Sequence, residues 1–230
     1  MATSNSTDYS LTAREIVSYA YRKLGIVSDD GDITAPQLSR GMLELSIMLK
    51  EWQKYEQIWR LTEGYVNTLH DTFGYSLTPQ PYRIHSVRYR SATDGNDVPM
   101  WEMTREQYYE LPDKKATGVP NQWFFDHQRD TNSLWVWPSL STDGGEVPSF
   151  RVTYQRRYED VDFPANLVDV PQQYLSLVGY NLASRISDKL ELKGASLQKV
   201  VLRAEALLQE MLDDDREAFV QLVPERRDYG

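Results

Sequence analysis

The sequence predicts an α+β protein: a four-helix bundle of two N-terminal and two C-terminal helices, with an inserted antiparallel β-rich segment and an extended C-terminal arm. Three observations carry that prediction. Apolar residues recur at helical spacing near both ends of the chain, and each such stripe needs a partner to cover it. Between them lie short runs rich in aromatic and β-branched residues, punctuated by Gly, Pro, Asn and Asp, which is the composition of strands. After the last stripe come three aspartates and then a tail that is apolar, proline-stopped and basic. The expected boundaries are 1–10 for a disordered lead-in, 11–60 and 168–215 for the bundle, 61–167 for the β-rich insert and 216–230 for the arm.

The first helix is LTAREIVSYAYRKLGI, with Ala13, Ile16, Val17, Ala20 and Leu24 on one face. Thr12 followed by Glu15 makes a capping box, and Gly25 stands where a helix ends on a left-handed residue. After the polar turn VSDDGDI, Thr34 and Pro36 open a second helix that runs to about Tyr55, striped by Leu38, Met42, Leu45, Leu49 and Trp52. A short turn between two amphipathic helices makes a helical hairpin.

From about Leu61 the period changes. YVNTL, YSLTP, YRIHSVRYR and VPMWEM read as strands, as do QWFFDHQ, SLWVWP and SFRVTYQRR further on. One short helix interrupts them at TREQYYEL, where Thr104 and Gln107 repeat the capping box. RDTN is the expected turn between QWFFDHQ and SLWVWP, and strands this close in sequence pair most simply as antiparallel hairpins. Helical spacing returns at Pro171. Leu175, Val178, Leu182 and Ile186 stripe one helix; Leu197, Val201, Ala204, Leu208 and Met211 stripe the next, with Gly194 and Ser196 marking the break.

Composition narrows the function classes. The 40% hydrophobic and 26% charged fractions are globular, and no apolar run is long enough to span a membrane as a helix. The opening MATSNSTDYS has neither the basic nor the apolar region of a secretory signal. With no cysteine there are no disulfides, thiolate metal sites or cysteine nucleophiles, which fits synthesis in a reducing cytoplasm. The net charge of −9 argues against a specific DNA reader, which needs clustered Lys and Arg to displace counterions.

No catalytic, cofactor-binding or metal-binding residue is expected. His70, His85 and His127 have no ligand spacing, and no phosphate loop, nucleophile elbow or dinucleotide fingerprint is present. DGGE at Asp143 to Glu146 reads as a turn. Asp213, Asp214 and Asp215 point about 100° apart on a helix and cannot converge on one ion; they read as a solvated helix end that opposes the helix dipole. Trp123, Trp135 and Trp137 could form a sugar-stacking platform, although a WVW stripe on one strand face is ordinarily core.

The tail is the candidate interaction site. Phe219, Val220 and Leu222 precede Pro224, which stops helix, and Arg226 and Arg227 follow. Two destinations are open to it: the protein's own bundle, or a groove of another subunit where the arginines meet carboxylates.

AREIVSYAYRKLGI followed by GMLELSIMLKEWQKY resembles the N-terminal hairpin of the head-to-tail adaptor proteins of short-tailed phages, the tail accessory factor family. PDKKATGVPNQWFFD, LWVWPSL, FRVTYQRRYEDV, VPQQYLSLVGYNLASRISDKL and AEALLQEML continue the similarity in order over nearly the whole chain. The resemblance implies a virion structural protein without an active site, located at the capsid vertex. It implies a ring, typically of twelve copies, below the portal protein, extending the DNA channel, helping to retain the packaged genome and attaching tail tube, nozzle or fibre proteins. On that model Phe219, Val220, Leu222, Pro224, Arg226 and Arg227 are the portal-docking arm. An acidic wall multiplied around a ring would let DNA pass without holding it. The alternative is a tail-associated carbohydrate-binding or cell-wall-degrading protein that uses the tryptophan face.

Overall fold

The structure is a computed structural model that describes residues 8–67, 72–91, 95–128, 132–140, 149–190 and 194–214. Its contacts divide the chain into two units: one holds the described residues up to Met48, Lys54–Trp59 and those from Val161 on; the other holds Leu49–Gln53 and Arg60–Asp160.

The first unit contains α1 (Ala13–Lys23), most of α2 (Ala35–Trp52), and two C-terminal helices, Leu175–Lys189 and Ala195–Asp214. Helix α1 starts where the capping box puts it: the Glu15 amide donates to the Thr12 hydroxyl at 3.3 Å and the Thr12 amide to the Glu15 carboxylate at 2.8 Å. Other amides of its first turn are met by a passing segment, Ala13 donating to the Asn166 carbonyl at 2.8 Å and Arg14 to the Pro164 carbonyl at 3.0 Å. The N-terminal donors of a helix have no partner within it, so this crossing strap completes the end. Gly25 closes α1 with φ +68°, a region that costs a glycine nothing. Thr34 and Gln37 form a further reciprocal cap on α2, which ends at Trp52.

The four apolar stripes exist, yet they do not close into the expected four-helix bundle. There are five helices and two four-stranded sheets among the described residues, so the α+β class stands and the bundle does not. The reason lies in how much each helix can bury. The helix Leu175–Lys189 is central, burying Leu175, Leu177, Val178, Leu182, Ala183 and Ile186. Ala195–Asp214 packs on it but buries fully only Val200, Ala204 and Met211, while α2 leaves Leu43 and Ile47 exposed. Helical period shows that a stripe exists, but not that it is wide enough to face two neighbours.

The second unit contains β1 (Leu61–Asn67), β2 (Gly74–Ser76), β3 (Arg83–Arg90), β4 (Asp97–Pro99), β5 (Trp101–Glu102), α3 (Arg105–Glu110), β6 (Gln122–His127), β7 (Asn132–Trp137) and β8 (Ser149–Gln155). The C-terminal helices are accordingly α4 and α5. One sheet has the order β1-β8-β3-β4 and the other β2-β7-β6-β5. The β6–β7 and β3–β4 pairs are antiparallel, as expected of neighbours in sequence; β1–β8 and β2–β7 join distant segments, and β5–β6 is parallel. Ile84, Val87, Phe150 and Val152 of the first sheet share one buried cluster with Tyr75, Trp123, Leu134 and Val136 of the second. The two sheets therefore pack face to face, with the Tyr75 and Phe150 rings meeting edge-on at 5.5 Å.

Candidate functional site

The strand alternation decides what the tryptophans can do. In β7, Asn132, Leu134 and Val136 are buried while Ser133, Trp135 and Trp137 are half-buried. Trp123 is opposite Val136 in register, so it faces the inter-sheet core, and its indole N–H donates to the Met100 carbonyl at 3.3 Å. Trp135 is opposite Phe124 and therefore lies on the outer face. Trp123, Trp135 and Trp137 thus do not form one platform: the first is core, and the other two belong to a cluster under α3.

That outer cluster is built around Tyr108, stacked on Phe124 at 5.3 Å and tilted against Trp135 at 5.7 Å. Burial pushes the Tyr108 phenol above its ordinary pKa, with the neighbouring Tyr109 adding to the effect. The Thr104–Gln107 cap starts α3 as expected, and Arg105 ties the helix to β6 by an ion pair with Asp126. Beyond the cluster the face opens. Trp137, Gln122 and Trp101 form a cross-strand row in register, and Trp101 is 77% exposed, with Tyr109 and Val119 also exposed. Single exposed apolar residues are commonplace, but an indole standing in water with a tyrosine and a valine on the same unit is a candidate contact surface.

The outer face of the other sheet is polar. Arg88 pairs with Glu63, and Arg151 spans Glu63 at 3.7 Å and Asp97 at 3.5 Å while lying over the Tyr65 ring at 5.0 Å. Arg90 also reaches Asp97, at 3.8 Å. These charges answer one another across neighbouring and next-but-one strands of the order β1-β8-β3-β4 and read as sheet stabilisation.

A third feature lies where the chain enters and leaves the second unit. Arg60 is fully buried, and its guanidinium donates to the Arg156 carbonyl at 2.7 and 3.1 Å and to the Gln53 carbonyl at 3.4 Å while standing 4.4 Å from the Tyr158 ring. Beside it is a cavity of about 300 Å³ lined by Gln53, Tyr82, His127, Gln128 and Arg157. Neither feature is legible in the local sequence. A lone arginine in IWRL and the pair in QRR look like solvated charges, because what buries them comes from elsewhere in the chain.

The other expectations fall as follows. Phe219, Val220, Leu222, Pro224, Arg226 and Arg227 lie outside the described residues, as do His70, Asp215 and Asp143 to Glu146. Asp213 and Asp214 are exposed at the end of α5, where Asp213 accepts from the Gln209 amide at 3.0 Å. His85 and His127 are exposed on separate strands. Among the described residues no three His, Cys, Asp or Glu side chains are grouped to hold a metal, and no helix is long and apolar enough to cross a membrane.

Together these describe a two-unit α+β protein that offers an exposed aromatic face and a cationic pocket. No protein-family model matches the chain, and no curated protein matches it. Among solved structures it is similar to a chain from the neck of an empty GTA particle computed with C6 symmetry, at 13% identity and a TM-score of 0.28, covering 81% of this chain and 86% of that one. A chain from the neck of a native GTA particle computed with C12 symmetry gives 13% identity and a TM-score of 0.25, covering 84% of this chain and 93% of that one.

Proposed function

We propose that the protein is a structural head-to-tail adaptor of a tailed phage particle, assembling as a ring below the portal and carrying tail proteins on its far side. The observation that carries this reading is the distribution of exposed apolar side chains. Leu43 and Ile47 sit one turn apart on α2, while Trp101, Tyr109 and Val119 are exposed on the β unit. A ring is held by heterologous contacts, in which each subunit offers two different surfaces, so separate patches on separate units suit it. The −9 charge of each copy adds a repulsive lining through which DNA can pass without being gripped.

Twelve copies, genome retention and docking of the arm from Arg216 to Gly230 into the portal belong to the same proposal and rest on the sequence resemblance. The test is co-sedimentation with the portal ring of the same particle, using the full chain and a version ending at Asp215. Binding by the full chain alone supports a docking arm; binding by neither version overturns the adaptor reading.

A further inference from the structure

The cavity beside Arg60 has a lining that asks for an anion. Its lining residues are Gln53, Tyr82, His127, Gln128 and Arg157, with no Asp or Glu among them, although the Gln128 amide donates outward to Asp126 at 2.8 Å. Gln53 is only 8% exposed, so its amide is fixed by packing. Arg157 contributes the positive charge; its Nε is itself buried and has no hydrogen-bond partner among the described residues, as is true of the Arg88 and Arg151 Nε atoms, so the outer edge of its guanidinium is what a ligand can meet. A buried donor left unpaired costs about 1–3 kcal/mol, more when charged, so the Arg157 charge sits where solvent compensates it least. The fully buried Arg60 stands behind the same wall, 5.9 Å from the Tyr82 ring. In a chain of net charge −9, this corner is a local reversal of sign.

We infer that the pocket binds a single carboxylate presented by a protein partner, as an acidic side chain inserted between Arg157 and the two amides. A guanidinium edge matches the two oxygens of a carboxylate, and carboxamide N–H groups can complete the set. Two carboxylates close in sequence to the lining residues are already paired. Asp126 is held by Arg105 and by Gln128, and Asp160 is held by Lys50. Those same acids argue against nucleic acid as the occupant. A phosphodiester chain needs a track of cations, and this is one cationic hole whose Gln128 amide already holds an aspartate. The inference does not depend on the adaptor reading.

The test uses the full-length protein labelled with 15N. The arginine Nε–H and glutamine side-chain amide signals are followed during titration with N-acetylglutamate, N-acetylglutamine and inorganic phosphate, and with a short DNA duplex. The expected result is a saturable shift of the Arg157, Gln53 and Gln128 signals with N-acetylglutamate, absent with N-acetylglutamine and weakened about tenfold in Arg157→Gln, the loss expected for one charge-assisted hydrogen bond. If Arg157→Gln melts far below the parent, Arg157→Lys takes its place, keeping the charge but losing the planar fork, and should bind more weakly. Equal shifts with the amide control, or no shift with any probe, overturn the inference. Tighter binding of phosphate or duplex would overturn the carboxylate assignment in favour of a phosphate site.

Discussion

Gly41 of α2 lies directly against Val17 of α1: a Cβ built on Gly41 would stand 3.0 Å from Cγ2 of Val17 and closer still to Cγ1. Val17 is fully buried and β-branched, so it has no free rotamer into which to retreat. Gly41→Ala should therefore destabilise the protein by about 1–3 kcal/mol through overpacking, even though alanine gains up to about 1 kcal/mol in helix propensity. Chemical denaturation checks this. An unchanged or raised midpoint would show that the two helices separate without cost.

The α1 cap is also a pH-sensitive element. Glu15 accepts the Thr12 amide and hydroxyl, and these hydrogen bonds hold its carboxyl below the ordinary glutamate pKa. A depressed folded pKa contributes stability above the unfolded value and loses it as pH falls through the folded value. Glu15→Gln should accordingly cost stability at neutral pH, with a deficit that shrinks on acidification below about pH 4. Thr12→Ala should cost about 0.5–2 kcal/mol at pH 7. A Glu15→Gln deficit that stays constant from pH 7 to pH 3 would contradict the assignment.

Arg60 holds the neck of the second unit through backbone carbonyls, so a shorter side chain leaves those carbonyls buried and unmet. Arg60→Ala should cost about 3 kcal/mol or more, and Arg60→Lys should recover only part of it because an ammonium cannot span the same acceptors. Thermal melts of the three proteins at neutral pH make the comparison. Equal stability of the lysine and arginine forms would remove the guanidinium geometry from the account.

Trp101 should behave in the opposite way. Being 77% exposed, it can become glutamine with a stability change within about 0.5 kcal/mol. On the adaptor reading the same substitution weakens assembly on the portal ring, which sedimentation reads directly. A large drop in melting temperature would mean that the indole is part of the fold.

For the arm, Phe219→Asp should weaken portal binding and leave the melting temperature nearly unchanged. A matching fall in both would place Phe219 on the protein's own helices.

What could be read from sequence was local. The caps at Thr12–Glu15 and Thr104–Gln107 are reciprocal side-chain bonds over three residues, and both formed where the spacing put them. The positions Leu175, Val178, Leu182 and Ile186 were legible for the same reason and are all buried. Sheet order was not. Nothing in YVNTL shows that β1 will lie beside β8, and the parallel β5–β6 pair breaks the hairpin rule. The tryptophans show the limit well: WVW correctly put Trp135 and Trp137 on one face, but Trp123 could be placed only once its partner was known to be Val136. The cationic pocket was invisible because Gln53, Tyr82, His127 and Arg157 come from four separate segments.

The pairing of β1 with β8 has a consequence for how such a chain can change over generations. Leu61 and Gln155 are partners in register, and the Arg156 amide donates to the Arg60 carbonyl at 3.0 Å, so the chain departs and returns at one point. Everything between is a cassette whose two ends already touch. A recombination event that swapped this cassette would leave the helices with the same pair of stumps to rejoin. The β-rich part can thus be traded while the helical part is kept.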